Sequence, residues 1–255
     1  MPVLLKPLRF LYVCYALVLF VLFMIPAFLW SLVVLPFGRI RSGNLIYHAC
    51  MLWGDVWFFM LFLRHQNIYE QPLQPGASYI FVANHISYMD TPTIVKAIRQ
   101  PVRPLGKVEM IKLPLFGFIY KNVIVTVDRS SLANRVKSVQ VLKSVLRKGV
   151  SVLVFPEGTF NTTGKPLADF YDGAFRIAIE TGQPIKPVLF LDGYDRLHYS
   201  SILTFNPGRN RCVFLESIPT TGYTIREVKQ LKETVHQIMW QKLVEYNASW
   251  IQEPI

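Results

Sequence analysis

The chain has 255 residues, enough for one α/β domain and a small additional element. Its 52% apolar and 17% charged composition, with Pro and Gly scattered without a period, excludes disordered, fibrous and low-complexity classes. A net charge of +11 on so apolar a chain points to an anionic membrane surface or a phosphorylated lipid before a nucleic acid.

In chain order, Leu11–Leu35 carries no charge. As a straight helix it would be roughly 37 Å long, more than the roughly 30 Å of a bilayer core. It lacks the short apolar region and small-residue cleavage site of a signal peptide. Pro26 is expected to interrupt this helix. An arginine-bearing turn, residues 38–43 with Arg39 and Arg41, leads to a second apolar run, Leu45–Leu63. That run contains His48, Gly54 and Asp55, and a mid-bilayer carboxylate costs roughly 3 kcal/mol. Two full spans would place Arg39 and Arg41 opposite a cytoplasmic C-terminal domain, against the positive-inside tendency. A one-leaflet hairpin or a single span is therefore preferred, with a soluble core helix pair as the weaker reading. The expected organisation is a membrane-anchoring helix pair, 1–64, followed by an α/β domain, 65–255.

After the Pro- and Gly-marked link 71–76, short apolar runs rich in Val, Ile, Phe and Tyr predict strands at 79–83, 123–127, 150–155, 185–190 and 211–218. Between them, Leu132–Lys148 has one apolar stripe, with Ser130 or Ser131 available as its cap and Gly149 after it. Thr224 and Glu227 form a capping-box pattern opening a helix toward Tyr246. Strands alternating with helices predict an α/β fold, a mostly parallel sheet flanked by helices, preceded by the N-terminal apolar two-helix membrane element.

Nearly all the excess charge sits in residues 91–150, where twelve Lys/Arg face only Glu109 and Asp128. The three cysteines, Cys14, Cys50 and Cys212, have no metal-ligand spacing and an odd count. Neither a disulfide framework nor a metal site is expected.

Chemistry-bearing residues cluster after strands. Asn84-His85-Ile86-Ser87-Tyr88-Met89-Asp90 follows the 79–83 strand, and Thr91 is expected to cap a helix beginning at Pro92. Across this turn His85 and Asp90 can face each other, and an imidazole held by a carboxylate is a general base. Phe155-Pro156-Glu157-Gly158-Thr159 follows a second strand, Arg129 ends a third, and Lys107 lies in the Leu105-Gly106-Lys107 run. In a parallel sheet such positions converge on one edge, where these folds bind ligands. Lys107 and Arg129 offer donors suited to a phosphate. Ser87 lacks the strained Gly-x-Ser-x-Gly elbow of a nucleophile.

The N-H-x4-D and F-P-E-G-T blocks, about seventy residues apart and both complete, resemble those of the PlsC-type glycerolipid acyltransferases. The stretch from Gly106 to Gly117 and the run Pro184–Val188 are similar to two further family segments. The resemblance covers roughly residues 45–220. It implies direct acyl transfer to the free hydroxyl of 1-acyl-glycerol-3-phosphate, giving phosphatidic acid in phospholipid biosynthesis, without an acyl-enzyme. By it, His85 takes the hydroxyl proton and Asp90 orients His85. Lys107 and Arg129 hold the acceptor's phosphate, and Glu157, Gly158 and Thr159 position the acceptor. The donor substrate is acyl-CoA or acyl-ACP, with no cofactor and no metal. The expected partners are membrane lipids and the lysophospholipid acceptor, with no nucleic acid, and the expected location is a membrane with the α/β domain on its cytoplasmic face.

Three positions depart from the family pattern: Val123 for Gly, Phe160 for a frequent Arg, and Tyr171 for Lys in Phe-Lys-x-Gly. Two cations on the phosphate side are thus aromatics. That keeps a different lysolipid acceptor, such as a lyso-amino-acid lipid, as the alternative enzyme reading. A membrane-anchored lipid-binding protein is the non-enzymatic one.

Overall fold

A computed structural model describes residues 5–127 and 132–252. Two long helices, α1 (Leu5–Val34) and α2 (Arg39–Met60), precede β1 (Leu63–Tyr69), β2 (Ile80–Ala83), α3 (Asp90–Ala97) and β3 (Val102–Lys107). Then come α4 (Phe116–Val123), β4 (Val125–Val127), α5 (Leu132–Arg147), β5 (Ser151–Val154) and α6 (Gly173–Thr181). The chain continues through β6 (Ile185–Phe190), α7 (Gly193–Arg196), β7 (Gly208–Phe214) and α8 (Val228–Glu245). The seven strands form one sheet in the order β1-β7-β6-β2-β5-β3-β4. All neighbours are parallel except β6 and β7. β2, β5 and β6 are buried along their whole length, the pattern of a parallel sheet covered on both faces.

The period of two in β2 divides the core. Ile80 and Val82 pack with Leu142, Phe175, Leu231 and other residues of α5, α6 and α8. Tyr79, Phe81 and Ala83 pack on the opposite face with Met24, Ala27, Tyr47, Ile94 and Ile119, from α1 through α4. The N-terminal helices therefore share a core with the sheet. α1 buries a stripe at Val13, Ala16, Met24, Ala27 and Val34, and exposes Leu11, Val18, Leu22, Ile25 and Leu29 on its outer side. Along the helix seam, Trp53 and Trp57 stack at 5.5 Å and Phe20 meets both edge-on. The Trp57 indole donates to the Ala16 carbonyl at 3.1 Å.

α2 is tied to the domain by charge as well. Asp55, the costly carboxylate of the second apolar run, receives Lys96 at 2.7 Å and a forked pair of bonds from Arg99 at 3.1 and 2.8 Å. Arg103, nearly buried on β3, donates to the Ile40 carbonyl at 3.1 Å and to Asn44 Oδ1 at 2.7 Å. Among the described residues, one helix, Pro7–Phe37, is long and apolar enough to cross a membrane.

All five expected strands form, and several boundaries move. β1 and β3 were not expected. β1 carries Arg, His, Gln and Asn at an edge, so it gives no apolar run. β3 contains Pro104, a poor central-strand residue. It is tolerated because β3 pairs with β5 over 102–104 and with β4 over 105–107, and Pro104 stands where the partner changes. Val123 belongs to α4, so β4 begins at Val125. The turn between the long helices is the short 3-10 segment Leu35–Phe37, and residues 39–43 are the first turn of α2. Pro26 does not break α1, which runs through it with the loss of one backbone bond. Helix α3 starts at Asp90 with no side-chain cap, so Thr91 is inside it. Ser130 and Ser131 lie outside the described residues.

The hinge between the helix pair and the sheet gives the first test. Arg103→Met leaves the Ile40 carbonyl and Asn44 without their donor and is expected to cost roughly 2–4 kcal/mol. Asp55→Asn, in a partly exposed pair, is expected to cost under about 1 kcal/mol. Denaturant unfolding of the detergent-solubilised protein orders the two variants.

Candidate active site

β2 delivers the first block to the carboxyl edge of the sheet. The Asn84 side chain continues its pairing with β6: Nδ2 donates to the Phe190 carbonyl at 3.1 Å and Oδ1 accepts from the Phe190 N–H at 2.8 Å. Beyond it the chain turns, and Asp90, fully buried in the first turn of α3, closes the turn. Its Oδ2 accepts from the Ile86 N–H at 2.8 Å, the Ser87 N–H at 2.9 Å and His85 Nδ1 at 2.8 Å. With Nδ1 donating to a carboxylate, Nε2 is the nitrogen left to accept a proton. Asp90 Oδ1 lies beside Gly193 and has no partner among the described residues. A Cβ on Gly193 would stand 2.9 Å from that oxygen, so a side chain there would press on the carboxylate.

The second block arrives from β5, next to β2. Gly158 adopts φ +72°, a left-handed conformation suited to glycine, and its N–H closes a turn onto the Phe155 carbonyl at 3.0 Å. The turn sends Glu157 inward. One carboxyl oxygen accepts from the His85 N–H at 2.8 Å and the other from the Ala168 N–H at 2.8 Å. Burial raises its pKa to about 8; the nearby Asp90 adds to the rise and the two backbone N–H groups oppose it. Both Glu157 oxygens are thus committed to the backbone and the residue is 3% exposed. Glu157 thus joins the two signature loops. Thr159 is exposed on the turn.

The Ser87 hydroxyl is fully buried, donates to the Leu197 carbonyl and accepts from the Met89 N–H, so it serves the loop. The His85 ring, 21% exposed, is flanked by Phe155, stacked at 4.1 Å, and Phe160, tilted 59° at 4.4 Å. These rings and Gly193 were not picked out from sequence as neighbours of His85 and Asp90. Phe155 lies within a signature block, whereas nothing near Gly193 in the sequence marks it.

Lys107 is exposed at the carboxyl end of β3, two strands from β2 in the order β2-β5-β3-β4, a separation of roughly 10 Å. It therefore shares the edge that carries His85 and Glu157. Arg129 lies outside the described residues, two positions beyond the end of β4. Among the described residues no group of three or more His, Cys, Asp or Glu is placed to hold a metal ion.

A cavity of about 680 Å³, almost wholly apolar, lies between the helix pair and the α3–α4 face of the sheet. Val13 through Ala27 of α1 form one wall, roughly 21 Å of helix. Ile119 and Val123 line the opposite side, and Tyr88 and Met89 of the His85 loop also line the cavity. It is large and dry enough for a long hydrocarbon chain.

Known proteins similar to this chain are acyltransferases. The Acyltransferase family model matches residues 65–191. A 1-acyl-sn-glycerol-3-phosphate acyltransferase of Cocos nucifera is 28% identical over 235 residues, covering 89% of this chain and 73% of that protein. One from Haemophilus influenzae is 27% identical over 196 residues, covering 74% and 80%. The crystal structure of the 1-acyl-sn-glycerophosphate (LPA) acyltransferase PlsC from Thermotoga maritima shares the fold, with TM-score 0.78 and 23% identity over 99% of this chain and all of that one.

Glu157 provides a pH test. Between its unfolded value near 4.5 and about 8, the folded protein holds a proton that the unfolded chain has lost, so stability falls as pH rises. The melting temperature of the wild type is expected to drop more steeply from pH 5 to 8 than that of Glu157→Gln. Parallel curves would contradict the buried, protonated carboxyl.

Proposed function

We propose that this chain, a member of the acyltransferase family and an O-acyltransferase, carries an acyl group from a thioester of CoA or acyl carrier protein to the free hydroxyl of 1-acyl-glycerol-3-phosphate. The observation that carries the reading is His85, with Nδ1 bound by a buried carboxylate, on a loop whose Tyr88 and Met89 line a large apolar cavity.

His85 Nε2 accepts the proton of the acceptor hydroxyl as its oxygen attacks the thioester carbonyl carbon. The C–O bond forms, the tetrahedral intermediate collapses with loss of the C–S bond, and the imidazolium returns its proton to the leaving thiolate. Asp90 holds the ring and faces the positive charge that develops on it. Lys107 and Arg129 take the acceptor's phosphate. Gly158 and Thr159 form the rim of the turn beside it, and an acyl chain occupies the cavity under Tyr88 and Met89. The chain associates with a membrane through the exposed apolar side of α1, with the sheet domain on the cytoplasmic face. α2 follows the domain, because Asp55 is bound to Lys96 and Arg99.

A second reading, a different lysolipid acceptor, rests on two positions: Phe160 and exposed Tyr171 stand where the PlsC-type pattern that the sequence resembles often has cations. An acceptor panel with purified protein and acyl thioester separates the two. Lysophosphatidate turnover is expected for the wild type and its loss for His85→Ala, by about a thousandfold or more. Lys107→Ala is expected to raise KM for lysophosphatidate about tenfold, one charge-assisted contact, with little change in kcat. Preference for an acceptor without phosphate would replace the first reading by the second. Full activity in His85→Ala would overturn both.

A further inference from the structure

We propose that Phe160 is a positioning residue for His85, coupling the imidazole to the wall of the apolar cavity; this rests on the acyl-transfer reading above. The segment that carries Phe160 is bonded to the residue its ring covers. The His85 N–H donates to Glu157 at 2.8 Å, and the Asn161 N–H donates to the His85 carbonyl at 2.8 Å. Asn161 is itself fixed. Its Oδ1 accepts from the Thr163 N–H at 3.0 Å and hydroxyl at 2.6 Å, and its Nδ2 donates to the Lys165 carbonyl at 2.9 Å. Phe160 thus sits between two residues anchored to the His85 backbone, and its placement follows from the fold of the loop.

The Asp90 bond fixes one ring nitrogen of His85 but leaves the ring free to tilt about that bond. Phe155 and Phe160, at 4.1 and 4.4 Å, remove this freedom. Phe160 also meets Tyr88 edge-to-face, at 4.9 Å and 83°, and Tyr88 lines the cavity. The contacts run without a gap from the cavity wall through Tyr88 and Phe160 to the imidazole. The carbonyl of a chain lying in the cavity and the nitrogen that takes the acceptor's proton are therefore placed by one aromatic unit. When His85 becomes imidazolium, its charge also lies against the face of Phe155 with Phe160 tilted beside it, an attraction stronger in the transition state than in the ground state. Such an effect acts on kcat.

The variants Phe160→Leu, which removes the ring but keeps apolar bulk, and Phe160→Tyr, which keeps the ring, test the proposal in the full-length, detergent-purified protein. Phe160→Leu is expected to lower kcat roughly tenfold, with both KM values within about threefold of wild type. Phe160→Tyr is expected to restore most of the rate. A readout without substrate is the rate at which diethyl pyrocarbonate modifies His85, followed by peptide mass spectrometry with His236 as internal reference. Phe160→Leu is expected to accelerate modification at His85 several-fold and leave His236 unchanged. An unchanged His85 rate, or a raised KM with unchanged kcat, would overturn the positioning role. Wild type that transfers no acyl group would instead overturn the acyl-transfer reading, while the modification rates still decide whether Phe160 restrains His85.

Discussion

Three donors converge on one oxygen of a fully buried carboxylate, and the site is arranged around that point. Asp90 Oδ2 gathers the N–H groups of Ile86 and Ser87 and the Nδ1 of His85. A buried carboxylate is tolerable only when it is hydrogen-bonded in this way. The same contacts that keep Asp90 in place fold the loop and set the His85 tautomer. Asn84 attaches the start of the loop to β6, and Glu157 attaches His85 to the loop after β5. The parallel order β6-β2-β5 makes this possible, because it delivers all three chain segments to the same edge.

The helix pair supplies the other half of the molecule's logic. Its inner stripe completes one side of the core, and its outer stripe exposes apolar side chains. The cavity is what remains where α1 and α2 do not close fully on α3 and α4. An apolar chain with a net charge of +11 thus resolves into separate parts. Greasy residues build a seam and an exposed face. The cations of residues 91–150 include Lys96, Arg99 and Arg103, which tie α2 to the sheet domain, and Lys107 at the strand edge. Lys186, in one of the family-like segments, is likewise structural: it is fully buried and donates to Gln71.

Much of this was legible in the sequence, for physical reasons. Continuous apolar runs mark strands buried on both faces, so β2, β5 and β6 were found, whereas β1 at an edge and β3 with its Pro104 carried no such mark. The His85/Asp90 pair was legible because five residues span one turn. The inward face of α1 was hidden, since a helix apolar all round shows no stripe. Glu157 was legible as a site residue, but its bond to the His85 backbone was not. A sequence shows that a carboxylate follows a strand, and only the turn at Gly158 determines that it points to the His85 backbone. Phe160 registered merely as a missing cation; its ring contact with His85 depends on Asn161 binding across the loop.

The central claim is that Asp90 makes His85 an effective base by holding Nδ1 and setting a buried negative charge against the imidazolium that forms. Asp90→Asn tests it most directly, because an amide oxygen in the place of Oδ2 can still accept from the Ile86 and Ser87 N–H groups and from His85 Nδ1, while the negative charge that faces the imidazolium is removed. With lysophosphatidate and an acyl thioester, the account predicts a fall in kcat of about a hundredfold or more, with KM values and melting temperature close to wild type. A kcat within about tenfold of wild type in a folded Asp90→Asn protein would contradict it.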